Sequence, residues 1–287
     1  MSKIRIGTCS WKYPSWIGLV YSEGVTDYLR EYAEKYSTVE IDQWFWSLFP
    51  GADPRLPDPK DVRAYRESVP ADFRFTVKVP NSVTLTHYYA KGKTAAPEAN
   101  PRFLSVKLFL EFLEALAPMK KLLGPLIFQY EYLNRQKMES RQAFEKKLAL
   151  FRKALPGGYS YAVEIRNGNY LNRRFLEYLL DQEWAPVLLQ GYWMPALPEL
   201  WKKLEKSIRP FRTVVFRLHG TDREGMEKET GKVWNRIVNP HDKELADIAA
   251  IVKELTGTRR EIFVNVNNHY EGSAPLTIER FKKFLEG

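Results

Sequence analysis

Eight short apolar runs recur along this chain, each separated from the next by a longer stretch in which apolar residues return every three or four positions. The runs are Ile4 to Gly7, Thr38 to Asp42, Phe73 to Val79, Pro125 to Glu131, Tyr161 to Arg166, Pro186 to Gln190, Thr213 to His219 and Ile262 to Asn267. The helix-like stretches include Asp27 to Tyr36, Pro101 to Ala117, Arg141 to Ala154, Arg173 to Gln182, Leu197 to Lys206, Lys243 to Leu255 and Thr277 to Leu285. A strand that alternates with a helix returns parallel to its predecessor, so the pattern predicts a parallel sheet covered by helices. Eight units with a helix after the last strand match a (β/α)8 TIM barrel. A doubly wound nucleotide-binding sheet would more often have about six strands and a G-x-G-x-x-G turn after the first, and that turn is absent. The expected organisation is one α/β domain over residues 1–287, with decorated loops at the C-terminal face.

The strands are not wholly apolar, and this carries the argument toward function. In Val39-Glu40-Ile41-Asp42, Val163-Glu164-Ile165-Arg166, Val215-Phe216-Arg217-Leu218-His219 and Phe263-Val264-Asn265-Val266-Asn267, polar side chains occupy every second position. Alternate residues of a strand face opposite sides, so one face is apolar and the other polar. A barrel strand polar on its inner face toward its C-terminal end lines the mouth where barrel enzymes place their chemistry. The competing reading is an internal ion-pair lattice. Two Pro-rich insertions, Phe49 to Pro59 and Pro80 to Pro101, follow the second and third strands, where loops would overhang that mouth.

Composition narrows the remaining classes. Forty-four Lys and Arg against 35 Asp and Glu give a net charge of +9, which suits an anionic small molecule or a nucleic acid as partner. The basic residues are scattered as pairs such as Lys146/Lys147 and Lys202/Lys203 on helix-like segments, the pattern of a solvated face. A single Cys excludes an intrachain disulfide framework and a multi-thiolate zinc site. No signal-peptide-like start and no run of about 18 apolar residues occurs, so a cytoplasmic location without a membrane role is expected. The oligomeric state is left open.

At these residues the sequence resembles the DUF72 (YecE-like) family. Ile6-Gly7-Thr8-Cys9-Ser10-Trp11-Lys12-Tyr13-Pro14-Ser15-Trp16 resembles that family's opening, and Val39-Glu40-Ile41-Asp42 with Phe45-Trp46 matches its second strand. Phe75 to Pro80 with Thr86-His87, Gly124-Pro125 with Phe128-Gln129, Val163 to Arg166, Arg217 to Gly220 and Asn267-Asn268 extend the likeness along the chain. The resemblance implies a TIM barrel and no established activity. Departures include Asp42 where Asn is usual, Trp46 for Tyr, Asn167 for His and Tyr130-Glu131-Tyr132 for Leu-Pro-Pro.

If the barrel closes, its strand ends gather a dense polar set. Glu40, Glu164 and His219 are the acid/base candidates, because crowded carboxyls and a histidine titrate in a range useful for proton transfer. Trp11, Asp42, Lys78, His87, Gln129, Arg166, Arg217, Asn267 and Asn268 are the candidate substrate-binding residues, and an anion is expected beside Arg166 and Arg217. Glu131 adds a further acid to the set. At least one carboxyl, Glu164 or Glu40 by expectation, should titrate above the ordinary range. The aromatics Tyr13, Trp16, Trp44, Phe45, Trp46, Tyr88, Tyr89, Tyr192, Trp193 and Tyr270 fall in strand-exit loops where rings could stack on a sugar or base. No metal ligand is assigned; a bound divalent metal is compatible with the His and carboxylate content but not favoured, because neighbouring Lys and Arg compete for the acids. The cofactor requirement is left open. The chemistry points to a hydrolase or lyase acting on a phosphorylated, sugar-like or nucleic-acid-derived substrate, with a non-catalytic nucleic-acid or anionic-metabolite binding protein as the alternative.

Overall fold

A computed structural model describes residues 2–89, 98–257 and 260–287. Its eight strands are β1 (Lys3–Cys9), β2 (Thr38–Ile41), β3 (Arg74–Lys78), β4 (Leu123–Gln129), β5 (Tyr161–Glu164), β6 (Ala185–Gly191), β7 (Thr213–Gly220) and β8 (Glu261–Val266). Each pairs parallel with its neighbours in sequence order, and β8 closes on β1 with Ile4 beside Ile262 and Thr8 beside Val266. The expected (β/α)8 TIM barrel is therefore the observed fold. Ten α-helices occur among the described residues: α1 (Tyr28–Lys35), α2 (Pro59–Ser68), α3 (Asn81–Thr84), α4 (Val106–Ala115), α5 (Arg141–Lys153), α6 (Arg173–Asp181), α7 (Leu197–Ile208), α8 (Arg223–Thr230), α9 (Asp242–Glu254) and α10 (Ala274–Glu286).

Alternation along the strands sorts the core into two parts. Outward residues such as Val39, Ile41, Phe75, Val77, Phe128, Val163, Phe216, Leu218, Val264 and Val266 pack with Phe109, Leu148, Leu176, Ile248 and Ile278 of the surrounding helices. Burying each such side chain contributes roughly 1.5–3 kcal/mol. The inward residues form layers. At the closed end Ile127, Ala162, Ala185, Val187, Val215 and Phe263 make a small apolar plug. Two residues further along the same strands come Gln129, Glu164, Arg217 and Asn265, so the period of two that places an apolar plug at one end places polar side chains at the other. Gly7 is required where β1 meets β2: a Cβ there would lie 1.9 Å from the Thr38 carbonyl oxygen.

Side-chain oxygens terminate the helices as their sequences suggest. Asp27, Ser105, Ser140 and Asn172 accept backbone N–H bonds at the starts of α1, α4, α5 and α6. Three helices were not expected: the four-residue α3, and the longer α2 and α8. In α2 only Val62 is buried, and in α8 only Met226 and Thr230, so neither shows the apolar stripe from which a helix is recognised. What marks them is capping: Asp58 before Pro59, and Asp222, whose carboxylate accepts from Gly225 N–H. The insertion read from Pro80 to Pro101 begins with α3, and its residues 90–97 lie outside the described set. Asn81 Oδ1 accepts from the backbone N–H groups of Ser47 and Leu48 at 2.9 and 2.7 Å, and Asn100 Nδ2 donates to the carbonyls of Ser82 and Leu85. These bonds fasten the insertion beside the C-terminal mouth.

Candidate active site at the barrel mouth

The deepest ionic layer is organised by Arg217. Its Nε and Nη2 donate to the two oxygens of Glu40 at 2.8 and 2.6 Å, and its Nη1 donates to Glu164 Oε2. Glu40 and Glu164 are fully buried and Arg217 is 1% exposed. Asn265 Nδ2 completes the layer, donating to Glu40 Oε2 at 3.1 Å and to Thr76 Oγ1 at 2.9 Å. Register explains the convergence: Glu40 lies beside Thr76, Gln129 beside Glu164, and Arg217 beside Asn265. Burial opposes the charge on Arg217, but Glu164 and Glu40 outweigh it and hold its pKa well above the ordinary value. Removing one member of such a buried set costs about 3–5 kcal/mol, because the partner's charge is stranded.

Above this layer opens a cavity of about 1150 Å³. A second cleft, of about 490 Å³, lies between the surface lysines and glutamates of α6 and α7. The mouth cavity takes Asp42 from the end of β2, Lys78 from β3, Gln129 from β4, Arg166 after β5, Arg217 and His219 from β7, and Asn267 after β8. Arg166 Nη2 reaches Glu164 Oε1 at 2.7 Å and donates to Gln129 Oε1 at 3.2 Å, while its guanidinium lies 4.4 Å from the Tyr192 ring centroid. Its Nε is buried without a partner among the described residues. Lys78 is 8% exposed, with Nζ 3.8 Å from the Phe45 ring centroid and no hydrogen bond or ion pair among the described residues.

The expected acid/base roles are redistributed by this geometry. Glu40 and Glu164 are brought together, yet neither lines the cavity; both sit beneath it with their charges committed to arginines. Burial raises the Glu164 pKa, but Arg166, Arg217 and Lys78 together more than offset that and hold it below the ordinary value, against the sequence expectation of an elevated Glu164. The elevated acid is Asp42, pushed up by burial and by Glu40 despite Lys78 and Arg217. His219 does face the cavity. Burial, then Arg217, Arg166 and Lys78, drive its pKa well below 6.5, so the imidazole is neutral. Its Nδ1 lies 3.3 Å from the Tyr192 hydroxyl and its Nε2 3.6 Å from Cys9 Sγ. Burial lowers Lys78 to about 8, reinforced by Arg217 and opposed by Glu40, Glu164 and Asp42.

Other expected residues have structural positions. Trp11 packs edge-on to Tyr65 in the core, its ring centroid 4.9 Å away, and does not line the cavity. His87 Nδ1 lies 2.9 Å from Thr86 Oγ1, also off the cavity, and Glu131 pairs with Lys137. Asn268 Oδ1 accepts from Ala274 N–H at 2.9 Å, fastening the start of α10. Asn267 lines the cavity and its Oδ1 accepts from the His269 backbone N–H. Of the strand-exit aromatics, Tyr13, Phe45, Trp46, Tyr89, Tyr192 and Trp193 line the cavity; Trp16, Trp44 and Tyr270 are core. Sequence reasoning missed Asn265 and Thr76 as members of the ionic layer, and Tyr132, Met194 and Arg223 as cavity walls. Asn265 stands two before Asn267 on an alternating strand, which is the signal that could have found it.

A metal fits poorly here. Cys9, Glu40 and His219 bring donor atoms within 4.8 Å of one another. Both Glu40 oxygens already accept from Arg217, and burial followed by Glu40 raises the Cys9 pKa well above the ordinary value, so the sulfur is a thiol. Arg217 in contact with Glu40 supplies the positive charge that a cation would bring.

Together these features define a (β/α)8-barrel protein with a cationic, aromatic-walled cavity at its C-terminal mouth. The profile of the family described as "Protein of unknown function DUF72" matches residues 5–287. The chain belongs to the DUF72 family. It is 30% identical over 179 residues to the UPF0759 protein YecE of Escherichia coli (strain K12), a match covering 62% of this chain and 54% of that protein, about half its length. A DUF72 family protein of Enterococcus faecalis V583 superposes with a TM-score of 0.69 at 20% identity, over 99% of this chain and 96% of that one. A DUF72 family protein of Thermotoga maritima MSB8 does so at 0.66 and 22% identity, over 99% of each chain. At these identities the likeness bears on the fold.

Proposed function

We propose that the chain is an enzyme, a hydrolase or lyase that binds a small anionic substrate in the barrel mouth. The observation that carries this reading is a mismatch of charge. Arg217 and Arg166 are paired with Glu40 and Glu164 below the cavity, whereas Lys78 is in no ion pair among the described residues and the pKa of the third acid, Asp42, is pushed up by burial and by Glu40. Positive charge is left at the cavity wall, where Lys78 and Arg166 both line the space and Lys78 Nζ has no hydrogen bond or ion pair among the described residues. A phosphate or carboxylate is the group that suits both. Asp42, elevated in pKa, donates a proton to a leaving oxygen; neutral His219 accepts one through Nδ1, the nitrogen turned to the Tyr192 hydroxyl. Phosphorylated and sugar-like substrates suit the charge and the ring-lined walls.

The alternative, a non-catalytic nucleic-acid or anionic-metabolite binding protein, is favoured by one feature. Trp193 is 95% exposed, and Trp46, Tyr89 and Tyr132 are each more than half exposed around the rim, as rings that stack on bases would be. Turnover separates the readings. A panel of phosphorylated and carboxylated small molecules is screened by thermal shift, and those that stabilise the protein are assayed for conversion with wild type, Asp42→Asn and His219→Asn. The enzyme reading expects conversion to fall roughly 100-fold or more in either variant with affinity retained. Stabilisation without conversion by the wild type supports the binding reading, and no stabilisation by any anion contradicts both.

A further inference from the structure

We propose that Lys78 is a nucleophile that forms an imine with the carbonyl carbon of its substrate, which makes the ligand of this mouth a small carbonyl compound bearing a carboxylate or phosphate. The inference rests on the anion-binding reading above and goes beyond it in the bond formed. Its basis is placement. Lys78 is the lysine among the residues that line the 1150 Å³ cavity, more than nine-tenths buried, with its amine against the Phe45 ring and no carboxylate or hydrogen-bond acceptor engaging it among the described residues. A structural lysine at such depth is normally paired, because burying an unpaired ammonium is costly. Here Glu40 is taken by Arg217, and Glu164 by Arg217 and Arg166, while Asp42, the remaining acid on the same cavity wall, forms no ion pair with it among the described residues.

Charged groups face Lys78 from several strands. Arg217 on β7 depresses its pKa, while Glu40 and Asp42 from β2 and Glu164 from β5 raise it; burial prevails and the amine comes to about 8. Roughly a tenth of it is then neutral at neutral pH, and a lysine desolvated beside another cation is a recognised route to an activated amine. The Phe45 ring favours the ammonium form, so it fixes the position of Nζ rather than its proton affinity.

The step balances with groups already on the cavity wall. The neutral amine attacks the carbonyl carbon; the carbonyl oxygen takes a proton from Asp42 and the nitrogen loses one to His219, giving a carbinolamine. The His219 imidazolium then returns its proton to the hydroxyl, which leaves as water, so that amine, carbonyl compound and the Asp42 proton become the protonated imine and water, with Asp42 left as carboxylate and no oxidant or reductant needed. The protonated imine withdraws electrons from the adjacent carbon, which favours the lyase side of the proposed activity. Arg166, which follows β5 and lines the cavity, is placed to hold the anionic group.

The test uses the native protein with pyruvate in one arm and dihydroxyacetone phosphate in the other, each with sodium cyanoborohydride near neutral pH, followed by intact mass and peptide mapping. The expected result is one adduct per chain, at Lys78, with occupancy roughly ten-fold above that of any surface lysine. A pyruvate adduct alone assigns a keto acid and a dihydroxyacetone phosphate adduct alone a phosphorylated carbonyl; either supports the proposal. Lys78→Arg keeps the charge and should abolish the adduct. An adduct that persists in Lys78→Arg, or labelling spread evenly over surface lysines, overturns it. No adduct while phosphate still raises the melting temperature of the native protein overturns the imine alone; no adduct and no response to phosphate overturns the anion site as well.

Discussion

Lys78 carries a stability cost that its position makes unavoidable. Its pKa lies near 8 in the fold against an ordinary 10.5, so the ammonium is less stable inside the barrel than in the unfolded chain. Below pH 8 both states hold the proton and the folded state bears the full penalty, on the order of 3 kcal/mol. Between pH 8 and 10.5 the unfolded chain binds the proton and the folded one does not, so stability rises with pH by up to about 1.4 kcal/mol per unit, and the penalty is gone above that window. Lys78→Met is therefore expected to stabilise the protein by about 1–3 kcal/mol at neutral pH, with a gain that fades as pH rises toward 10.5. Chemical denaturation across this range checks it; a variant less stable than wild type at neutral pH would show that Lys78 supports the fold. A costly residue held at the centre of a cavity is what a site selected for chemistry contains.

At the level of elements, the exits of β6 and β7 set the far wall. Gly191 and Gly220 take φ of 125° and 75°, and Tyr192 takes φ of 53°, an uncommon backbone for an aromatic residue. Tyr192 N–H donates to the Gly220 carbonyl at 2.9 Å, fixing its ring over Arg166 and its hydroxyl beside His219. A Cβ on Gly220 would lie 2.4 Å from the His269 carbonyl oxygen. Gly220→Ala is expected to cost roughly 2 kcal/mol or more and, under the proposed enzyme function, to lower turnover by displacing Tyr192 and His269 together. A crystal structure of the variant with an unshifted exit and unchanged melting temperature would refute this. The strands were legible because their period of two survives in the sequence, as Val163 to Arg166 shows. The helices α2 and α8 were not, since they bury too few apolar residues to show a stripe. The roles of Glu164 and Asp42 were also out of reach: both alternate inward, and only the three-dimensional reach of Arg217 decides which acid is neutralised and which faces the cavity.

Across the whole molecule, closure of the sheet is what turns scattered polar residues into a site. Glu40 and Arg217 are 177 positions apart and share two hydrogen bonds; Asn265 reaches Glu40 over 225 positions. The eight-fold alternation made that convergence readable in outline. Which inward residues line the cavity, and which seal its floor, depended on register and depth, as the contrast between Asp42 and Glu40 on one strand illustrates. No helix among the described residues is long and apolar enough to cross a membrane. The resulting object is a barrel with an ion-paired floor and a mouth lined by Lys78, Arg166 and Arg217, for which we propose an anionic ligand. Titrating the Lys78 amine by NMR with nitrogen-15-labelled lysine, in the absence and presence of saturating phosphate, tests that claim most directly. A midpoint near 8 is expected in the free protein, moving upward when phosphate binds, since an adjacent anion favours the ammonium. A Lys78 midpoint at the ordinary 10.5, or one near 8 that phosphate leaves unmoved, would contradict that claim.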